Sequence, residues 1–195
     1  MRFSGIKIGF AITGSHCTIA NVIPYIQRLH DEGARITPIL SAAVVNTDTR
    51  FGKARDLVEQ LTEITGEKPL TTLMEVEPIG PGKLYEVIIV APCTGNTMAK
   101  LALGISDTVV TMACKAQLRN SRPVILAFST NDGLSANARN LGTLLNRKEL
   151  YFVPFGQDAP AVKQYSIISK MDLIPDAILA ALEHRQLQPL LISYN

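Results

Sequence analysis

The chain has 195 residues, 47% of them hydrophobic and 18% charged, with a formal net charge of +2. That length buries one sizeable core, so a single domain over 1–195 is expected. Basic residues are neither in excess nor clustered, which excludes a nucleic-acid surface, and no apolar run reaches the roughly 20 residues that span a bilayer. Ile6 to Ile12 reads as a first strand, with Lys7 inside the apolar stretch and no signal-type cleavage pattern after it, so a cytoplasmic location is expected. It runs into a polar loop, Thr13 to Thr18. Ile19, Val22, Ile23, Ile26 and Leu29 then mark one face of a helix that Gly33 closes, with Pro24 fitting near its start.

Arg35 to Leu40 gives a second strand ending at Ser41. Ala54, Leu57, Val58, Leu61 and Ile64 recover helical spacing before Gly66 and Pro69, and the stretch Pro69 to Lys83 lacks a period and reads as a surface connection. A buried strand follows at Val87 to Ala91, which Pro92 is expected to end for want of an N–H. The loop Cys93 to Thr97 leads into a helix that runs to Gly104, and Ser106 or Asp107 is expected to cap the next one. Pro123 to Phe128 is a strand, Ser129 to Gly133 a polar loop, and Ala138 to Leu145 a helix. Tyr151 to Val153 is a short strand, a polar span reaches Gln164, Met171 to Leu182 is a final helix, and the tail from Gln186 is peripheral. Strands alternating with helices at this spacing predict an α/β fold, a Rossmann-like (flavodoxin-like) parallel sheet with helices on both faces.

Neither Gly-x-Gly-x-x-Gly nor Gly-Lys-Ser/Thr occurs, which disfavours a typical NAD domain or a P-loop. Instead, loops at Thr13 to Thr18, Ser41, Cys93 to Thr97 and Ser129 to Asp132 all sit at the carboxyl ends of predicted strands, which converge on one crevice in an open α/β sheet. Their hydroxyls and backbone amides suit a phosphate monoester held with little positive charge, although serines and threonines also cap helices. His16 is the one histidine in a candidate site and could move a proton near neutral pH. Cys93 reads either as a thiol activated by a helix N-terminus or as a small buried residue. Lys100 and Arg139 could bind a carboxylate, or be solvated helix residues. His30 and His184 read as structural or exposed. Cys17, Cys93 and Cys114 are odd in number and widely spaced, so reduced thiols and no metal site are expected.

The run Ala91-Pro92-Cys93-Thr94-Gly95-Asn96-Thr97-Met98-Ala99-Lys100-Leu101-Ala102, with Gly104-Ile105-Ser106-Asp107 after it, resembles the central motif of the flavoproteins that include phosphopantothenoylcysteine decarboxylase, the lantibiotic cysteine decarboxylases and the flavin prenyltransferases. The resemblance covers residues 5 to about 150. It implies FMN in the crevice and homo-oligomers in which neighbouring copies complete the site. Thr13, Gly14, Ser15 and Ser41 would contact the flavin, Cys93, Thr94, Asn96 and Thr97 would line its phosphate and ring, and Ser129 falls where the family places further contacts. For catalysis the candidates are His16, Asn96 and Lys100. Two departures bear on the reaction: Ala42 to Phe51 holds no histidine of the kind these decarboxylases carry after the second strand, and Ser129-Thr130-Asn131-Asp132 stands in place of Pro-x-Met-Asn. The narrower resemblance within the group implies a two-component sporulation oxidoreductase acting on a small dicarboxylate, with NAD(P) on a dissimilar partner chain. The alternatives are an FMN-dependent decarboxylase, a flavin prenyltransferase, or a noncatalytic flavin-binding or scaffold protein.

Overall fold

The apolar runs of the sequence lie side by side in the computed structural model, which describes residues 1–193. The elements in chain order are β1 (Lys7–Ile12), α1 (His16–Asp31), β2 (Arg35–Leu40), α2 (Ala42–Val45), α3 (Ala54–Thr65), α4 (Leu73–Val76), α5 (Ile79–Gly82), β3 (Val87–Cys93), α6 (Gly95–Leu103), α7 (Val109–Leu118), β4 (Val124–Thr130), α8 (Ala138–Leu145), β5 (Leu150–Phe152), β6 (Phe155–Gly156), β7 (Ile167–Ser169) and α9 (Ile174–Leu182). β2, β1, β3, β4 and β5 pair in parallel in that order. β7 pairs antiparallel with the end of β4, and β6 with β7. This is the α/β parallel sheet that the alternation of elements predicts. It also places a topological switch between β1 and β3, where open sheets of this order bind their ligands.

Strand parity divides the core. Val87, Ile89 and Ala91 face a cluster shared with α1, α3 and α9, while Ile88 and Val90 face α6, α7 and α8. Cys93 lies with Ile88 and Val90 although it is an odd number of residues from Val90, because the register slips by one between Val90 and Cys93. Pro92 sits in that slip. The expectation that Pro92 ends the strand is therefore corrected: a bulge needs no ladder donor, and β3 continues to pair Cys93 with Phe128.

Other boundaries also differ from the reading of the sequence. α1 begins at His16, so Pro24 lies in its interior rather than near its start. Ala20, whose carbonyl loses its helical donor to Pro24, is exposed, so water can satisfy that carbonyl. Thr108, not Ser106 or Asp107, caps α7, its hydroxyl accepting the Thr111 N–H at 3.2 Å. The stretch from Pro69 to Lys83 is not a plain surface connection. Leu70 forms a bridge with Ile39 at the edge of β2, and Val76 and Ile79 are fully buried. β6 lies just before the polar span that reaches Gln164. The tail is bound as well, with Gln186 bonding both backbone groups of Phe152 and Leu191 bridging Phe155. Its last positions, 194 and 195, lie outside the described residues. Among the described residues, no helix is long and apolar enough to cross a membrane.

Candidate functional site

Thr13 joins the two loops of the switch point. Its buried hydroxyl donates to the Pro92 carbonyl at 2.7 Å and accepts the Thr94 N–H at 3.0 Å, fixing where β3 hands over to α6. Thr94 then caps α6, its hydroxyl accepting the Thr97 N–H at 3.3 Å and meeting the Thr97 hydroxyl at 3.1 Å. The Gly95 and Asn96 amides, first in the helix, have no carbonyl a turn earlier within it to bond, and they carry its positive end. Ser41, at the end of β2, donates its N–H to the Ile12 carbonyl at 3.1 Å. Its Oγ is buried with no partner.

These loops enclose a cleft of about 560 Å³, within the range of small-molecule sites. Thr13, Gly14 and Ser41 line it on one side, with Thr94, Asn96, Thr97 and Lys100 beside them. Thr71, Thr72 and Leu73 face them, and Asp107 to Val110 complete the lining. Lys100 Nζ lies 2.7 Å from both carboxylate oxygens of Asp107, and this bond holds the Asp107 carboxyl below its ordinary range. Because the folded value is depressed, the contribution of the pair is present above the ordinary carboxylate value of about 4 and is lost as the pH falls through the depressed one.

The remaining predicted site residues lie elsewhere. The Ser15 hydroxyl bonds that of Ser129 at 2.8 Å, and Thr18 bonds Ser129 at 2.7 Å, so Ser15 and Ser129 tie α1 to β4 behind the cleft instead of lining it. Cys93 is fully buried with its side chain in the core, and desolvation drives its thiol far above the ordinary value; the Cys114 thiol is pushed up to about 12 by the same cause. His16 lines a separate groove of about 440 Å³ between α1 and α3. Gly14, which lines the cleft, lies between the two: a Cβ on it would stand 3.1 Å from that of Ala43 and 3.7 Å from Nε2 of His16. Arg139 is exposed on α8, and exposed His184 pairs with Glu149 at 2.8 Å. Among the described residues, no cluster of three His, Cys, Asp or Glu side chains forms a possible metal site.

A polar cradle buttresses α6. Asp132 accepts the Thr130 hydroxyl at 2.5 Å and the Asn137 side-chain amide at 2.8 Å, and Asn140 donates to Asn137 at 2.8 Å. Gly95 packs directly on this group. The wall at Thr71 to Leu73 is the part of the site that periodicity missed. Its readable signal is Thr72-x-x-Glu75, a capping box that the structure realises.

The Flavoprotein family model matches residues 2–163. The chain belongs to the flavoprotein family. It is 45% identical over 188 residues to the B subunit of dipicolinate synthase from Bacillus subtilis, covering 96% of this chain and 94% of that one. The crystal structure of the B subunit of dipicolinate synthase from Bacillus halodurans superposes with a TM-score of 0.92 at 41% identity, covering all of both chains. The FMN-dependent cysteine decarboxylase TvaF from thioviridamide biosynthesis gives 0.57 at 25% identity over 73% of this chain and 86% of its own.

Proposed function

We propose that the cleft holds FMN and that the chain is the flavin-binding component of an enzyme forming pyridine-2,6-dicarboxylate, acting with the pyridine-nucleotide-binding A subunit of dipicolinate synthase in the mother cell of a sporulating bacterium. The observation that carries the reading is the buried, unpartnered Ser41 Oγ on a cleft that also meets the first turn of α6. A buried hydroxyl without a partner is costly, and a phosphate or flavin oxygen would satisfy it. Thr13, Gly14, Ser41, Thr94, Asn96 and Thr97 would hold the cofactor, while Ser15, Cys93 and Ser129 keep the wall in place from behind. The unpaired amides of α6 favour an anion without a matching cation. A neighbouring copy of the chain would complete the open side.

A hydroxytetrahydrodipicolinate precursor becomes the aromatic product by losing one water and two hydrogens, and a dihydro precursor by losing two hydrogens alone. Bound FMN would supply the two-electron acceptor. The chain's own contribution is orientation. Asn96 presents a side-chain amide at the cleft, and Lys100, already paired with Asp107, is the cation there that would meet a substrate carboxylate. His16 lines the neighbouring groove, with Nε2 close to Gly14 at the edge of the cleft.

Ser41→Ala separates folding from binding. The ligand-free protein should melt within about 0.5 kcal/mol of wild type, because no bond is lost, while FMN affinity drops about tenfold, or about 1.4 kcal/mol. Calorimetric melting and a flavin titration check both halves. The reaction itself is tested by combining the chain with its pyridine-nucleotide-binding partner, with and without FMN, and following formation of pyridine-2,6-dicarboxylate. Turnover that needs both the chain and FMN is expected, and full turnover in flavin-free protein would overturn the reading.

A further inference from the structure

The two walls of the cleft differ in what they can donate. On the α6 side stand the first-turn amides, the Asn96 side chain and the Lys100 ammonium, the last paired with the Asp107 carboxylate. On the α4 side the polar protons of Thr71 and Thr72 are already used. The Thr71 N–H, Thr72 N–H and Thr72 hydroxyl donate to Oε2 of Glu75 at 2.8, 2.9 and 3.0 Å, and the Thr71 hydroxyl approaches the same oxygen at 3.4 Å. The Thr72 oxygen in turn accepts the Glu75 N–H at 3.3 Å. Thr71 and Thr72 line the cleft, so these two residues offer a ligand only methyl groups and lone pairs, backed by a carboxylate.

That carboxylate is ionised at neutral pH, since hydrogen bonds from the Thr71 and Thr72 backbone and the Thr72 hydroxyl lower its proton affinity. The cation nearest it, Lys68 at 3.9 Å, is 87% exposed and therefore well screened. The wall is also held in place, because Leu70 exchanges backbone bonds with the edge of β2: its N–H reaches the Pro38 carbonyl at 2.8 Å and its carbonyl takes the Leu40 N–H at 2.9 Å.

We propose that Glu75 is a specificity-determining residue: by consuming the donors of Thr71 and Thr72 and adding a negative charge behind them, it turns anionic groups away from these two residues and directs the anionic end of a ligand toward α6. This is selection by exclusion, which lowers affinity for anions in general while fixing their orientation. The inference rests on the reading that the cleft takes FMN, but it applies to any anion bound there.

Glu75→Gln tests it, because glutamine also suits the third position of a capping box and keeps an acceptor while removing the charge. The folded chain and this variant are titrated with FMN, with riboflavin, which lacks the phosphate, and with pyridine-2,6-dicarboxylate. The variant should bind FMN and the dicarboxylate about fivefold tighter at low salt, with the gain shrinking as salt rises, and should bind riboflavin as wild type does. Equal or weaker binding of both anions by the variant, or an equal change for riboflavin, would overturn the role of Glu75. Failure of wild type to bind either flavin contradicts the FMN reading alone, and the dicarboxylate titration then decides the role of Glu75 by itself.

Discussion

Gly95→Ala is expected to lower stability by about 2–3 kcal/mol, as overpacking a close-fitted site does, and to weaken FMN binding more than tenfold. A methyl group at Gly95 would lie 2.6 Å from both Asp132 Oδ1 and Thr130 Oγ1 and 2.7 Å from Asn137 Nδ2. None of these atoms is the loose end of a flexible side chain. Thr130 and Asn137 are tied to Asp132, and Asn137 in turn receives the side-chain bond of Asn140, with both asparagines buried. Relief requires α6 to move away, and that helix, with its cap Thr94, carries Asn96, Thr97 and Lys100 into the cleft. The gain in helix propensity of alanine over glycine is at most about 1 kcal/mol even in a helix interior and does not offset the clash. Urea unfolding and a flavin titration measure the two effects. Stability at or above that of wild type would show that the cradle yields to a methyl group.

Thr13→Val should cost about 1–3 kcal/mol, the penalty of leaving a buried donor unpaired. Valine fills the same volume but cannot accept the Thr94 N–H. The Pro92 carbonyl keeps the Thr13 N–H at 3.3 Å, so the loss falls chiefly on the start of α6. Thr13→Ser retains both bonds and should remain within about 1 kcal/mol of wild type. The contrast between the two variants, read by urea unfolding, distinguishes the hydroxyl from the shape of the side chain. If valine and serine behaved alike, the bridge would carry no weight.

Much of this architecture is legible in the sequence because its strands are buried on both faces. Val87 to Ala91 and the runs at Ile6, Arg35 and Pro123 are largely apolar segments between helical periods, and that alternation leaves few alternatives to a parallel sheet. The polar loops at the strand ends are legible for the same reason, and Thr13, Gly14, Ser41, Thr94, Asn96 and Thr97 do meet at one cleft. What the sequence hides depends on tertiary geometry. Prolines at 24 and 92 look like boundaries, yet one lies inside a helix where Ala20, the residue that loses its donor, is exposed, and the other occupies a register slip, so neither loses a bond that the fold requires. β6 and β7 are two and three residues long, too short for any period to show. Cleft and core both accept a small polar residue, so sequence alone does not separate Ser41, whose hydroxyl is unpartnered, from Ser15 and Ser129, whose hydroxyls satisfy each other. His16 shares its loop with Gly14 but opens the helix, and one residue of helical rotation after Ser15 carries it into the neighbouring groove. The wall at Thr71 to Leu73 reads as a linker because it docks on the edge of β2 through backbone bonds, which leave no pattern in side chains.

The central claim is that the cleft between β1 and β3 binds FMN, and a titration of the purified chain with FMN, followed by flavin absorption and fluorescence, tests it most directly. The account predicts saturable binding of one FMN per chain with a perturbed visible spectrum, about tenfold weaker in Ser41→Ala. A chain that leaves the flavin spectrum unchanged, or a Ser41→Ala variant that binds as tightly as wild type, would contradict it.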